Sequence, residues 1–310
     1  GRDVKLSEDR VKGYRNFLNK IWNANKFSKI NKCKIYNKFN ISKTNLDINQ
    51  WIYFELFNVS QQSKRYISNF RFDEAAKVIY QFVWHSYCDW YLEFLKPIFE
   101  TNNKKNIEES RNMLAFVQAN ILILLHPFIP FFTEKVWQDF KFESYFKSPL
   151  MLKRWDLKKY NKFNKKHNKV DWLIELVGAI RSTKVDLNIL PGAFIDISTQ
   201  DLTSNASNII NTNLNVFKRL GRVSNISKNQ LMKKGVKIIV GKETLTLYFD
   251  ANIDLNQQKS KLFNRIQELE RKISVINNKI KNKSFLTNAP KSVVDNERKL
   301  LKEYNIDLKK

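Results

Sequence analysis

The sequence predicts a mainly α-helical protein, built from a helical bundle, a small α+β module and a C-terminal antiparallel coiled-coil hairpin. Three observations predict it. Through the first 145 residues, apolar side chains recur at three- and four-residue spacing, which places them on one face of each helix. Between about residues 193 and 249, alternating apolar residues flank a short loop containing Gly241. After Leu255 the apolar residues follow a heptad pattern. We expect domains at 1–155, 156–252 and 253–310.

The first predicted helix, residues 7–27, has one apolar and one polar face. Ser7 is a suitable N-cap, and acidic residues follow it at the positive end of the helix dipole. The apolar face carries Val11, Tyr14, Phe17, Leu18 and Ile21. The opposite face and its flanks carry Lys12, Arg15, Asn16, Asn19, Lys20, Asn23 and Lys26.

Four further helices complete the predicted bundle, at about 46–66, 73–95, 107–125 and 130–137. Pro97 is predicted to end the helix that begins at residue 73, and His126-Pro127 to form a turn at a helix end. Leu150–Trp155 alternates like a short strand, and the basic run Lys158–Lys169 resembles a linker.

From about residue 170 the sequence pattern predicts strands as well as helices. A helix is predicted at about 170–183, a strand at Ala193–Ser198 and one helix over Ile209–Leu220 that ends at Gly221. Val236–Val240 and Thr244–Phe249 flank the short loop Gly241-Lys242-Glu243, as in a β-hairpin.

The last segment has the most regular periodicity. Its apolar positions are spaced 7, 4, 3, 4, 3 and 4 residues apart, which is a heptad seam. Ser284–Pro290 interrupts the seam, which restarts at Val293, Leu300 and Tyr304, so two antiparallel helices are predicted. At ~1.5 Å per residue such an arm is ~40 Å long. The first half of the seam is Leu255, Leu262, Ile266, Leu269, Ile273, Ile276 and Ile280.

Charge indicates a polyanionic partner. The 310 residues include 55 Lys and Arg against 30 Asp and Glu, a net charge of +25, while a hydrophobic fraction of 43% excludes wholesale disorder. The excess is uneven. Basic and acidic residues number 11 and 3 in 1–40, 12 and 12 in 41–150, 18 and 8 in 151–250, and 14 and 7 in 251–310. Because Lys and Asn have A/T-rich codons, part of the charge reflects codon usage rather than binding.

The cysteine and histidine inventory argues against several classes of site. Cys33 and Cys88 cannot form a disulfide framework and no CxxC pair exists, so we expect no structural metal. The most apolar stretch, Met113–Thr133, is broken by polar residues and prolines, which argues against a membrane span. The chain opens Gly1-Arg2-Asp3 without a signal region, so we expect a cytoplasmic location and a piece of a longer protein.

Four stretches carry distinctive aromatic and polar motifs. They are GYRNFLNKIWNA at 13–24, FVWHSYCDWYLE at 82–93, LHPFIPFFTEKVW at 125–137 and IRSTKVDLNI at 180–189. The heptad segment follows, with Lys283-Ser284-Phe285 and Ala289-Pro290 at its bend. Together they resemble the anticodon-binding domain and C-terminal coiled-coil arm of valyl-tRNA synthetases. The bundle motifs are similar to those of the isoleucine, leucine and methionine enzymes too, and the arm favours valine.

The resemblance implies a C-terminal fragment that binds tRNA(Val) and works with upstream catalytic and editing domains, as a monomer. HIGH-like and KMSKS-like motifs are absent from this sequence, so no catalytic residue is expected here and the fragment alone should be inactive. ATP and Mg are implied for the full enzyme, and no cofactor for this chain.

The resemblance implies two tRNA-binding faces and a structural set. The bundle helix would approach the anticodon with the polar residues given above, and the arm would lean on the tRNA elbow. The alternative for both faces is a solvated surface, and for the arm also a dimer zipper. Tyr14, Phe17 and Trp22 could stack on bases, but their apolar face predicts core packing. The arm residues are Lys261, Arg265, Lys272, Lys279 and Lys281, and the structural ones Asp89, Trp90, His126 and Trp137.

Two alternatives remain open from the residues alone. His85, Cys88 and Asp89 share a helix face, so they could form a metal or nucleophile cluster, although an ion pair between Asp89 and a base on a neighbouring helix is the simpler interpretation. For the whole chain, the alternative to tRNA recognition is a non-catalytic helical scaffold whose coiled coil binds other proteins.

Overall fold

The computed structural model describes residues 7–36, 39–229, 231, 235–249, 255–282 and 291–309. Within these ranges the side chains of residues 10, 162, 164–168, 255–262, 265, 291, 292 and 309 are not described. The chain divides into two compact units, one of Gly1–Gly178 with Thr203–Val223 and one of Ala179–Leu202 with Ser224–Lys310. The predicted domain boundaries remain predictions.

The larger unit is a helical bundle. Its helices are α1 (Glu8–Ile30), α2 (Asp47–Ser68), α3 (Phe72–Gln81), α4 (Leu92–Phe99), α5 (Lys104–Leu125), α6 (Pro130–Asp139) and α7 (Phe142–Phe146). A π-helical segment, Phe82–Tyr91, joins α3 to α4. α9 (Ser204–Thr212) and α10 (Leu214–Gly221) also belong to this unit, and α10 packs on α4, where Arg219 pairs with Glu100. The long α8 (Asn161–Asp186) crosses the boundary between the units.

A buried polar group fixes α2 against its neighbours. The Asn49 amide donates to Glu109 at 2.9 Å, and the Tyr91 hydroxyl donates to Asn49 at 2.8 Å. Glu109 also accepts from the backbone N–H groups of Asn45 and Leu46, so this carboxylate caps the start of α2. On folding, these polar atoms exchange hydrogen bonds to water for hydrogen bonds to protein, as buried polar groups in a closely packed bundle must.

The smaller unit contains a four-stranded sheet and a helical hairpin. The strands are β1 (Ile195–Ser198), β2 (Val223–Ser227), β3 (Gly235–Val240) and β4 (Glu243–Tyr248), in the order β2-β1-β4-β3. β4 is antiparallel to both β1 and β3. Gly241 opens the two-residue loop of the predicted hairpin with φ 64°, a conformation that glycine adopts freely.

The predicted antiparallel arm is present among the described residues as α11 (Leu255–Lys281) and α12 (Lys291–Lys309). Lys279 pairs with Glu297 at 2.8 Å, and Lys272 lies over the ring of Tyr304 at 5.9 Å, so the two helices run in opposite directions. Ile276 and Val294 are buried between them. Farther from the bend the heptad seam is less buried, and Ile266 there is 43% exposed.

These elements confirm a mainly α-helical protein with a small α+β module. Among the described residues, no helix is both long enough and apolar enough to span a bilayer.

Three predictions about the bundle segments are wrong. The helix does not end at Pro97, which lies buried inside α4, because losing one backbone hydrogen bond near a helix end does not stop its last turn. Leu150–Leu152 forms a 3₁₀ turn instead of a strand, since only Leu150 is buried there. The predicted linker 158–169 contains the start of α8, whose buried face begins at Phe163 and continues at Val170.

The segment 209–221 is two helices instead of one. Asn213 ends α9, because its backbone leaves the helical conformation at φ −113° and ψ 27°. The Asn213 carbonyl then accepts from Phe217 at 2.8 Å and starts α10. β2 was not predicted, because Val223 is its only buried position and no alternation marks it.

Candidate nucleic-acid interface

The polar face of α1 is exposed. Phe17, Ile21 and Ala24 are buried on the opposite side, which anchors the helix. Of the seven residues predicted to bind RNA, six are exposed and Lys20 is half-buried. The exposed six are Lys12, Arg15, Asn16, Asn19, Asn23 and Lys26. This face therefore combines cations with amides that donate and accept hydrogen bonds, as single-stranded RNA recognition requires.

Lys20 is held by the motif segment 82–91. Its ammonium lies 2.6 Å from Asp89 and 3.9 Å from the centre of the Trp84 ring. His85 Nδ1 lies 3.3 Å from the other oxygen of Asp89. Trp84 stacks in turn on Tyr80, with ring centres 5.6 Å apart. The predicted basic partner of Asp89 on a neighbouring helix is thus Lys20, and this contact locks α1 to the π-helical segment.

The arrangement favours the ion pair over a metal or nucleophile cluster at His85, Cys88 and Asp89. Cys88 is buried, and burial raises the pKa of its thiol to about 12, which keeps it protonated. Among the described residues, no three His, Cys, Asp or Glu side chains converge as metal ligands.

We expect both thiols to resist alkylation in the folded chain. Burial raises the pKa of Cys33 and of Cys88 from 9.0 to about 12, so at pH 8 the thiolate fraction falls about a thousandfold. Iodoacetamide labelling followed by mass spectrometry should be correspondingly slow without urea and fast with it.

The same shifts predict the pH dependence of stability. A raised thiol pKa stabilises the fold below the unfolded value near 9, and this contribution is lost as the pH rises towards about 12. The urea midpoint should fall between pH 8 and pH 10, and fall less in the variant Cys33→Ser/Cys88→Ala. In the alkylation experiment, fast iodoacetamide labelling of the folded chain would contradict the burial of the two thiols.

Three aromatic residues of α1 differ in their burial. Phe17 is buried and Trp22 half-buried against Phe140, with ring centres 6.2 Å apart, so both pack as predicted. Tyr14, predicted to be in the core, is instead 63% exposed, and Val11 is 53% exposed. The described residues therefore leave the apolar face largely uncovered at the start of α1.

The residues assigned structural roles lie inside the bundle or at its turns. Trp137 is fully buried, and Trp90 is half-buried beside Phe94 with ring centres 5.8 Å apart. His126 Nδ1 lies 2.8 Å from Thr133 Oγ1, which joins the predicted turn to the first turn of α6.

The arm cations that the structure describes are exposed. Lys272 pairs with Glu268 at 2.5 Å, which raises the pKa of the lysine, and Lys279 pairs with Glu297. Lys281 is exposed as well. The side chains of Lys261 and Arg265, which are also predicted to bind tRNA, lie outside the described residues.

Sequence reasoning missed an amide-lined cavity of about 370 Å³ where the N-terminal ends of α2, α5 and α10 meet. Asparagines before and within these helix starts were the available signal, because asparagine is a common N-cap. Amides donate and accept hydrogen bonds, so this cavity suits a neutral polar group. The asparagines are Asn45, Asn103, Asn106, Asn211, Asn213 and Asn215.

Comparison with known proteins matches both parts of the chain. Residues 49–199 match the anticodon-binding domain of tRNA ligase, and residues 254–310 match the valyl tRNA synthetase tRNA binding arm. The chain is 41% identical over 298 residues to the valine–tRNA ligase of Pelagibacter ubique, covering 96% of this chain and 34% of that protein. It is 34% identical over 310 residues to that of Agrobacterium fabrum, with 99% and 33% covered. It therefore spans about a third of the length of these curated relatives.

Proposed function

Because the chain belongs to the valine–tRNA ligase family, we propose that it is the tRNA-recognition part of such an enzyme and that its tRNA is tRNA(Val). The observation that carries the proposal is the joint presence of two tRNA-binding regions, 49–199 and 254–310, in one chain. The exposed cation-and-amide face of α1 supports it. In this proposal, the bundle reads the anticodon loop and the arm contacts the folded elbow.

The two regions would use different chemistry. Asn16, Asn19 and Asn23 present amides to exposed bases, and Arg15 presents a guanidinium to phosphate, so α1 supplies specificity. Lys20 would act by holding the helix in place, because Asp89 and Trp84 engage its ammonium. The arm would bind phosphates, which gives affinity that depends on salt.

The whole enzyme's reaction, ATP-dependent attachment of valine to the tRNA, belongs in this proposal to the part of the relatives that the chain does not match. This sequence carries no HIGH-like or KMSKS-like motif, so the chain alone should not form valyl-tRNA. A monomeric state in the cytoplasm completes the proposal.

Filter binding tests the specificity. The chain should bind valine tRNA more tightly than an unrelated tRNA at about 100 mM salt. The variant Arg15→Gln/Asn16→Ala/Asn19→Ala/Asn23→Ala should reduce that preference about tenfold or more, since each lost polar contact costs about 1 kcal/mol.

A matched control is available on α2. The variant Gln61→Ala/Gln62→Ala/Arg65→Gln changes exposed residues of the same types and should leave the preference within about twofold of the unmodified chain. Equal affinity of the unmodified chain for the two tRNAs would refute the specificity.

A further inference from the structure

Five exposed apolar side chains on three segments of the bundle have no role in the proposed function. Val11 and Tyr14 are 53% and 63% exposed on α1, and Phe70 and Phe72 are 81% and 53% exposed around the turn between α2 and α3. Phe131, on the first turn of α6, is 91% exposed. We call this set the bundle-end patch. Contiguous exposed apolar surface marks interaction sites in soluble proteins, and the rings of Phe70 and Phe72 lie 6.3 Å apart.

Contacts to α5 place the start of α1 at one end of the bundle. Gln118 donates to the Ala24 carbonyl, and Asn112, six residues earlier on α5, accepts from the Tyr36 backbone N–H. The segment 24–36 and α5 therefore run in opposite directions. The start of α1 lies near the end of α5, from which the turn at 126–129 leads to Phe131.

Contacts between α2 and α5 place the phenylalanine pair at the same end. Asn49 meets Glu109, and Tyr53 meets Phe116, so these two helices run in the same direction. The C-terminal end of α2, and with it the turn that carries Phe70, thus lies beside the end of α5.

The register also explains why α5 does not cover Tyr14. Tyr14 lies seven residues before Ile21, which is 2% exposed, so both side chains share the inner face of α1. From the level of Ala24, α1 extends at ~1.5 Å per residue for about 24 Å to its start, whereas α5 extends about 10 Å beyond Gln118. α5 therefore ends before it can cover Tyr14, and a partner from outside the bundle would complete the contact.

Charge around Phe70 and Phe72 favours a protein partner over RNA at that part of the patch. Arg71 lies 3.4 Å from both Asp73 and Glu74, and Glu74 is also 3.7 Å from Lys77. The cations around Phe70 and Phe72 are therefore neutralised locally. Aromatic side chains are enriched at the centre of protein–protein interfaces, where charged residues are depleted.

We propose that the bundle-end patch docks against the part of a full-length valine–tRNA ligase that this chain does not match. The inference rests on the proposed function and names the surface through which that part is held. The matched relatives are about three times as long as this chain, so each includes a large protein partner for the patch. Burying these rings would fix the bundle relative to the catalytic part, and with it the tRNA.

The test uses a full-length chimera, the Pelagibacter ubique ligase with this chain in place of the segment it matches. Hydrogen exchange is compared between the chimera and the chain alone, at amides in 69–72 and 126–131. We expect exchange at least tenfold slower in the chimera. The variant Phe70→Asn/Phe72→Ser/Phe131→Ser should restore the rates of the free chain, with asparagine chosen because Phe70 has φ 57°.

The control variant is Ile30→Ser, which removes a 79% exposed residue at the other end of α1 and should leave the protection intact. Equal exchange in the chimera and the free chain would overturn the inference. So would a tenfold loss of tRNA affinity when the triple variant is made in the free chain, since the patch would then bind RNA. Self-association of the free chain that the triple variant abolishes would instead assign the patch to a second copy.

The same samples separate this inference from the proposed function. If the unmodified free chain shows no preference for valine tRNA while the patch is protected in the chimera, the function fails and the docking surface remains. If the chain prefers valine tRNA but the patch is not protected in the chimera, the docking inference fails and the proposed function remains.

Discussion

Replacing Trp137 by alanine should lower the free energy of unfolding by about 3–5 kcal/mol, the usual cost of truncating a buried tryptophan. Trp137 is fully buried, with ring centres 5.3 Å from Phe142 and 5.1 Å from Phe146. Its side chain joins α6 to α7 and to the Leu150 turn, so the cavity cannot close without moving several elements. Urea unfolding followed by circular dichroism measures the loss.

Two phenylalanine variants separate packing from hydrogen bonding in this prediction. The indole N–H of Trp137 has no hydrogen-bond partner among the described residues, so Trp137→Phe should cost only about 1–1.5 kcal/mol. The indole N–H of Trp51 donates to Asp171 at 3.0 Å, and a hydrogen bond to a charged group is worth about 1.5–3 kcal/mol. Trp51→Phe should therefore cost more than Trp137→Phe. The opposite order would show that Trp137 has a partner, such as a buried water.

Most of the bundle helices were predictable because they bury a periodic face that is visible in the local sequence. α2 is predicted at 46–66 and found at Asp47–Ser68, and α5 differs mainly by starting earlier, where Asn103 caps it. The helix break at Asn213 is a local change of backbone conformation, and β2 depends on neighbouring strands that supply its partners. Periodicity reports neither effect.

The sequence predicted which residues form the candidate site better than it predicted their tertiary contacts. The polar residues of α1 were identified from spacing, and most are exposed. That Lys20 is engaged by Asp89, 69 residues away, follows from packing between helices, which one sequence does not reveal. The exposure of Tyr14 depends on which neighbouring helices reach the start of α1. Both are tertiary properties, and both change the roles that the residues could have.

Neutralising the arm should remove most of its salt-dependent affinity for tRNA. The variant Lys261→Gln/Arg265→Gln/Lys272→Gln/Lys279→Gln deletes four cations that recur on one flank of the seam. If each neutralises one phosphate, the slope of log affinity against log salt falls by about 3, because each contact contributes roughly 0.7–0.9. At 50 mM salt the loss should be about a hundredfold, and at 200 mM only a few-fold.

The helical hairpin must survive for this loss to mean lost phosphate contacts. Lys272 and Lys279 also pair with Glu268 and Glu297, so circular dichroism should confirm that the variant retains its helix content. Exchanging one pair, Lys279→Glu/Glu297→Lys, keeps both the net charge and the pairing across the hairpin. It should retain nearly the original salt slope. An unchanged slope in the fourfold variant would remove the arm from the tRNA-binding surface.

A single substitution decides whether Lys279 contacts RNA or only closes the hairpin. Glu297 is 16% exposed at its side chain and lies 2.8 Å from the Lys279 ammonium, so the pair competes with any phosphate for that cation. Glu297→Gln removes the competitor and should strengthen tRNA binding about three- to fivefold at low salt, since an exposed or half-exposed pair is worth up to about 1 kcal/mol. If Lys279 serves only the hairpin, the same change should weaken the arm's helices and leave affinity unchanged or lower. Filter binding with thermal melting of the full chain distinguishes the two, because a stronger complex together with a slightly less stable arm is compatible only with the first.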